Sequence, residues 1–200
     1  MKKILSLLAI LSLSNCAPAP ITPPVGATIN DDRDRRACVM HLECEKGIEP
    51  INSWRDLGND FRPWSVELRK TFSLMDKLGI KPHIADKKYF DENTRGSYNY
   101  VSNKFFINKR YLNRPKIVLY TIRHEGWHAV QDCMGGTLYN TKYNLALDKD
   151  TAIPDWIIED ANRNYDEREV PYEVEAIYAS TSSRKTIEGL KSCLTKLKED

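Results

Sequence analysis

The stretch PKIVLYTIRHEGWHAVQDCMGG, residues 115 to 136, constrains the fold of this chain more than any other. Its apolar residues recur at helical spacing from Ile117 to Cys133, a proline stands where a helix can begin, and two glycines follow where it can end. The residues around its two histidines are apolar, so the helix is expected to be partly buried. Two imidazoles and a carboxylate on a buried helix cost free energy unless they have partners, which the rest of the chain must supply.

His124 and His128 are four residues apart, and Glu125 directly follows the first of them. On a helix of about 3.6 residues per turn both imidazoles point to one side, so they can bind one metal ion. Glu125 is rotated by about 100° from His124 and therefore borders the ion without binding it. A carboxylate in that position can take a proton from a water molecule whose pKa zinc has lowered. The spacing predicts a Zn²⁺ site with Glu125 as the general base, although this five-residue pattern also arises by chance.

A catalytic zinc site usually has three protein ligands and a water, so a third ligand is expected. One arrangement has a His or Asp six residues after the second His, with a glycine midway. The sequence excludes this arrangement, because Met134 stands in place of the His or Asp and Gln131 in place of the glycine. The other arrangement is a glutamate on a later helix, and the segment EVEAIYAS begins with Glu173 and Glu175. The remaining histidines, which have no supporting motif, are His41 and His83.

HEGWH followed by Glu173-Val174-Glu175-Ala176 resembles the gluzincin metallopeptidases. Within these, ImmA/IrrE-type and CAAX-prenyl-type peptidases share a Glu-x-x-Ala pattern on the helix of the third ligand. The resemblance covers residues 84 to 182 and implies that Glu173 binds the metal. The alternative carboxylates are Glu175, Glu169, Glu159 and Asp160. Ile177 stands where an Asp or Asn often follows this pattern, so the supporting role of that residue must fall elsewhere or be absent.

The same resemblance implies a zincin-like metallopeptidase domain that hydrolyses peptide bonds in a peptide or protein substrate. Zincin folds place an edge strand beside the cleft, where a peptide can add as a further strand. The negative charge that develops on the attacked carbonyl needs a donor close to the metal. The candidate donors are Tyr165, Arg168, Tyr172 and Tyr178.

The N-terminus, MKKILSLLAILSLSNC, has the pattern of an export signal. Its apolar run from Ile4 to Leu13 is too short to span a bilayer core of about 30 Å as a helix. Residues 13 to 16 resemble a bacterial lipobox, which implies lipidation of Cys16, although Asn15 departs from the small residue usual before that cysteine. Plain secretion is the alternative. We therefore expect a signal peptide at 1–16, a membrane-attached lipid at Cys16, and a location in the periplasm or elsewhere in the cell envelope.

The remaining cysteines are Cys38, Cys44, Cys133 and Cys193. An even number of cysteines in an exported protein favours disulfides, whereas a zinc finger is disfavoured because the chain has no CxxC pair. Cys38 and Cys44 are close enough in sequence for a small local loop. That pairing leaves Cys133 to meet Cys193.

The organisation of the chain follows from composition and periodicity. Residues 17–36 are rich in proline and charge, which predicts a disordered tether before a domain at 37–200. The expected elements are a helix at 65–78, an extended segment at 80–84, a hairpin at 96–108 around Ser102-Asn103, the motif helix, a short helix at 154–162, and one terminal helix from Pro171 to Leu197. This order predicts an α+β fold with a small antiparallel sheet.

The composition excludes one function class and leaves three hypotheses. The net charge is +2, and basic clusters interleaved with aromatic residues are missing, so nucleic acid is not an expected partner. The first hypothesis is a zinc-dependent peptidase of the cell envelope. The second is a zincin-fold lipoprotein without catalytic activity that acts as a binding or assembly factor. The third is a disulfide-stabilised envelope module in which HEGWH is coincidental.

Overall fold

The computed structural model describes residues 46–100, 102–135 and 144–199. The predicted signal peptide and tether lie outside these ranges, as do Cys16, His41 and the pair Cys38 and Cys44. Within the described ranges the chain has five α-helices and a four-stranded sheet, which confirms the α+β class. No α-helix in these ranges is long and apolar enough to cross a membrane.

The sheet contains β1 (Ile48–Pro50), β2 (Lys81–Ala85), β3 (Gly96–Asn99) and β4 (Lys104–Asn108). Their spatial order across the described residues is β1-β2-β4-β3. The hairpin prediction is confirmed, since β3 and β4 pair antiparallel, but the prediction of a purely antiparallel sheet is wrong. β4 pairs parallel with β2 because the second strand of the hairpin inserts between β2 and the first. β3 is thereby left at the edge of the sheet.

The helices are α1 (Ser65–Lys77), α2 (Pro115–Met134), α3 (Asp155–Asn164), α4 (Val170–Ser180) and α5 (Ser183–Glu199). The predicted helices at 65–78, 117–133 and 154–162 are confirmed within two residues at every end. The prediction of a single terminal helix is wrong, because the helix is interrupted at residues 181–182, between α4 and α5. The Ser182 hydroxyl accepts the backbone N–H of Arg184 at 3.3 Å, which caps a new helix.

The motif helix α2 lies at the centre of the core. It packs against α4 and α5 on one side and against β3 and β4 on the other. Gly126, the middle residue of the motif, allows α1 and α5 to approach α2 closely. A Cβ there would lie 2.9 Å from Met75 Cε of α1 and 2.9 Å from Thr186 Cγ2 of α5. Arg123 ties α2 to α1 through Glu67, with Nε–Oε1 and Nη2–Oε2 distances of 2.7 and 2.9 Å.

A buried polar contact joins the far end of α2 to the hairpin. Asp132 is fully buried, and the Tyr98 hydroxyl lies 2.9 Å from its Oδ2 and 3.0 Å from Asn103 Oδ1. Asp132 Oδ1 has no hydrogen-bond partner among the described residues. One hydroxyl proton cannot serve both acceptors, so a proton on Asp132 completes the contact. Burial raises the pKa of Asp132 to about 7, despite the opposing effect of the Tyr98 hydroxyl.

We expect Asp132→Asn to stabilise the protein at pH 8 by about 1–2 kcal/mol and to change its stability little at pH 4. Because the folded pKa lies above the unfolded value of about 3.9, the stability that Asp132 contributes is fully present below pH 4. It is lost as the pH rises through about 7. Urea unfolding of both proteins at the two pH values measures the difference. Asp76→Asn, at an exposed position, is the control, and a variant with unchanged pH dependence would contradict the prediction.

Candidate metal centre

Three side chains from two helices converge at one point. His124 and His128 lie one turn apart on α2, with their Nε2 atoms 3.1 Å from each other. Glu173, in the first turn of α4, places Oε2 3.1 Å from His124 Nε2 and Oε1 3.3 Å from His128 Nε2. Across the described residues these three form the one group of His, Cys, Asp or Glu ligand atoms that could hold a metal ion.

The distances fit a small tetrahedral ion. Ligand atoms about 2.0–2.1 Å from a tetrahedral metal lie about 3.3–3.4 Å from one another. The two Nε2 atoms are 3.1 Å apart, and each lies 3.1–3.3 Å from a different oxygen of the Glu173 carboxylate, which is close to that spacing. The side chains are nearly enclosed, at 11%, 12% and 14% exposure for His124, His128 and Glu173. Two imidazole nitrogens and a carboxylate oxygen are also donors that Zn²⁺ prefers. The donor atoms of His124, His128 and Glu173 are therefore of the kind and spacing that a zinc ion requires.

The electrostatics of the group favour a charged carboxylate facing the imidazoles. Burial alone would raise the pKa of Glu173, but contacts with His124 and His128 outweigh it and hold that pKa well below its usual range. Burial opposes protonation of His128, yet the Glu173 carboxylate raises its pKa to about 9. The same negative potential that attracts a proton here attracts a cation.

Glu125 lies beside the three side chains without joining their group. It is 5% exposed, burial raises the pKa of its carboxyl, and the two imidazoles oppose that rise. The backbone N–H of Tyr98 in β3 donates to its carboxylate. Gly96 leaves the room that this requires, because a Cβ there would lie 3.1 Å from Glu125 Oε1 and 2.5 Å from Thr121 Cγ2.

The other carboxylates considered as third ligands lie outside the group. The Glu175 carboxylate points away and accepts the Trp127 indole N–H at 3.2 Å and the backbone N–H groups of Ala146 and Leu147 at 2.9 and 3.0 Å. Glu159 and Glu169 are exposed, and Asp160 lines the cleft without reaching the imidazoles. His83 is on β2, where its ring lies tilted against that of Phe106 at a centroid distance of 5.5 Å.

The group opens into a cleft of about 1250 Å³. Its walls are β3 and the residues before it, one face of α2, and the segment that joins α3 to α4. Of the four candidate donors, Tyr165, Arg168 and Tyr172 line this cleft. Tyr178 does not, and its ring instead faces Lys185 Nζ at 4.2 Å. Burial and the charge of Glu173 raise the pKa of Tyr165, whose hydroxyl also hydrogen-bonds to that carboxylate.

Two residues of the site were not singled out for these roles from the sequence. The Tyr120 ring stacks beside His124, with centroids 6.4 Å apart. Gln131 contacts His128, with Oε1 2.9 Å from Nδ1. Both positions follow from helical spacing, since residue 120 precedes His124 by four and residue 131 follows His128 by three. Ile177, at the position of the expected Asp or Asn, packs with Ile157, Ala161 and Val174 between α3 and α4 instead.

Cys133 and Cys193 lie next to each other beyond the motif. Both are buried, one on α2 and one on α5. Interaction with the Cys133 thiol is the main reason that the pKa of Cys193 is raised, followed by burial. The disulfide between them stays a prediction.

Comparison of the chain with protein-family models, curated proteins and solved structures found no match. The likeness to gluzincins thus rests on the motif residues alone.

Proposed function

We propose that this chain is a zinc-dependent peptidase in which His124, His128 and Glu173 hold Zn²⁺ and Glu125 is the general base. One observation carries the proposal: two imidazoles and a carboxylate converge in a buried site, and a second carboxylate, that of Glu125, lies beside them without being a ligand. A purely structural metal site would fill its coordination with protein ligands, whereas three ligands at the head of a cleft leave a position for a water molecule.

The roles of the residues follow from their positions. When bound, zinc supplies a Lewis acid that lowers the pKa of a water molecule and polarises a carbonyl group. Glu125 accepts a proton from the attacking water at its carboxylate and passes it to the leaving amine. The N–H of Tyr98 holds that carboxylate in place, and burial raises its affinity for the transferred proton. The Tyr165 hydroxyl is the donor best placed to stabilise the oxyanion.

The edge strand favours an extended peptide as substrate. Within the described residues β3 pairs with β4 on one side only, and residues 93 to 98 line the cleft. A peptide that adds as a strand to the other side of β3 would run past Glu125. The pattern of an export signal and the lipobox-like cysteine in residues 1–16 support a location in the cell envelope for the proposed activity.

The test is metal content together with hydrolysis. The full chain, purified in detergent, is expected to carry about one zinc ion by elemental analysis and to cleave members of a quenched-fluorescence peptide library. Treatment with a chelator should abolish cleavage, and added Zn²⁺ should restore it. A folded protein that takes up no zinc after reconstitution would overturn the proposal.

A further inference from the structure

The side-chain amide of Gln131 has a fixed orientation. Its Nε2 lies 3.0 Å from the carbonyl oxygen of Tyr172 and 3.0 Å from Glu175 Oε2. Both partners are acceptors, so the NH₂ end of the amide must face them. Both of its protons are then used, and the oxygen of the amide is the end that faces His128 Nδ1 at 2.9 Å.

The orientation of Gln131 determines where His128 carries its proton. A carbonyl oxygen can only accept, so Nδ1 must donate and therefore carries the N–H. In the neutral imidazole, Nε2 then has a lone pair, and Nε2 is the atom that faces Glu173 and His124. The opposite tautomer would direct an N–H at the metal position and prevent binding through that atom.

Glu175 prevents the amide from turning over. Its buried carboxylate is held by the Trp127 indole and by the N–H groups of Ala146 and Leu147, besides Gln131. If Gln131 turned over, its oxygen would face both this carboxylate and the Tyr172 carbonyl oxygen, and two hydrogen bonds would become two repulsive contacts. Glu175 therefore acts on His128 through Gln131.

We propose that Gln131, oriented by Glu175, is a positioning residue that fixes the tautomer of His128 for metal binding. This inference rests on the proposed function for its purpose, but the tautomer itself is a property of the metal-free chain. It also assigns to Gln131 the supporting role that an Asp or Asn at position 177 would have, and that Ile177 cannot fill. Partners that orient a ligating histidine in this way are worth about 10–100-fold in metal affinity.

The first measurement needs no variant. In the zinc-free wild-type chain, at a pH where the imidazole is neutral, ¹⁵N chemical shifts of the His128 ring report which nitrogen is protonated. We expect the proton on Nδ1. A proton held on Nε2 would overturn the inference whether or not the protein binds zinc.

The second measurement is zinc affinity by competition with a chelator. Gln131→Met keeps the length and burial of the side chain but removes the acceptor, and is expected to weaken zinc binding by about 10–100-fold. Thr186→Val is the matched control: it removes a buried hydrogen bond to α2, from Thr186 Oγ1 to the Arg123 carbonyl oxygen at 3.0 Å, without touching a ligand. It should change zinc affinity by less than about tenfold, the smallest loss expected when a ligand's partner is removed.

The two measurements separate this inference from the proposed function. Gln131→Met binding zinc as tightly as wild type would overturn this inference and leave the proposed peptidase intact. A wild type that binds no zinc but holds its proton on Nδ1 would overturn the peptidase and support the tautomer assignment.

Discussion

Glu125→Gln is expected to keep about one zinc ion per chain and to lower kcat by about 10²–10⁴-fold. The amide has the shape of the carboxylate and can still accept the Tyr98 N–H, so the fold and the ligands should be undisturbed. It cannot take up a proton, so the water molecule loses its base and the leaving amine loses its acid. Paired measurements of zinc content and steady-state hydrolysis on the same preparation separate binding from catalysis.

The control for this variant is Glu159→Gln, the same change at an exposed position of α3 outside the cleft, which should retain wild-type kcat. Wild-type activity in Glu125→Gln would contradict the assignment of the base. A wild type that binds zinc but hydrolyses no peptide would instead favour the binding or assembly factor. Zinc content and hydrolysis of the wild type thus distinguish the peptidase from the binding factor, and the two variants test the role of Glu125.

The position of α2 could be predicted because its causes are local. The 3.6-residue period of its apolar face, Pro115 and Gly135 all lie within the helix or at its ends, so His124, Glu125 and His128 could be placed relative to one another without the rest of the chain. The sheet could not be predicted in the same way. The parallel pairing of β2 with β4 depends on where the hairpin docks, and no pattern within either strand records that.

The contacts that support the site were even harder to predict from the sequence. Glu173 and Glu175 are two residues apart on one helix, and periodicity alone does not say which of them faces α2 at the depth of the histidines. Only the family likeness favoured Glu173. The backbone N–H groups of Ala146 and Leu147, which hold Glu175, come from a loop with no motif. A carboxylate held by such donors looks like any other glutamate in the sequence.

Glu173→Ala is expected to lose stoichiometric zinc, with an affinity more than about 100-fold below that of the wild type, beyond the loss expected for a supporting partner. Two imidazoles remain, but the negative charge that faces both of them is removed. The effect should also appear in stability. Zinc at about 1,000 times its Kd stabilises a folded site by about 4 kcal/mol, so added zinc should raise the Tm of the wild type and leave that of Glu173→Ala unchanged.

Glu169→Ala is the matched control, since Glu169 is an exposed carboxylate of the same cleft wall and an alternative ligand from the sequence. It should keep its zinc and its zinc-dependent rise in Tm. If Glu173→Ala kept both, the third ligand would have to be another carboxylate, and α4 would have to shift to bring it in. The close packing of α4 on α2, through the fully buried Ala176 and Ala179, opposes such a shift. The geometry of the two helices therefore makes this the most direct test of the ligand set.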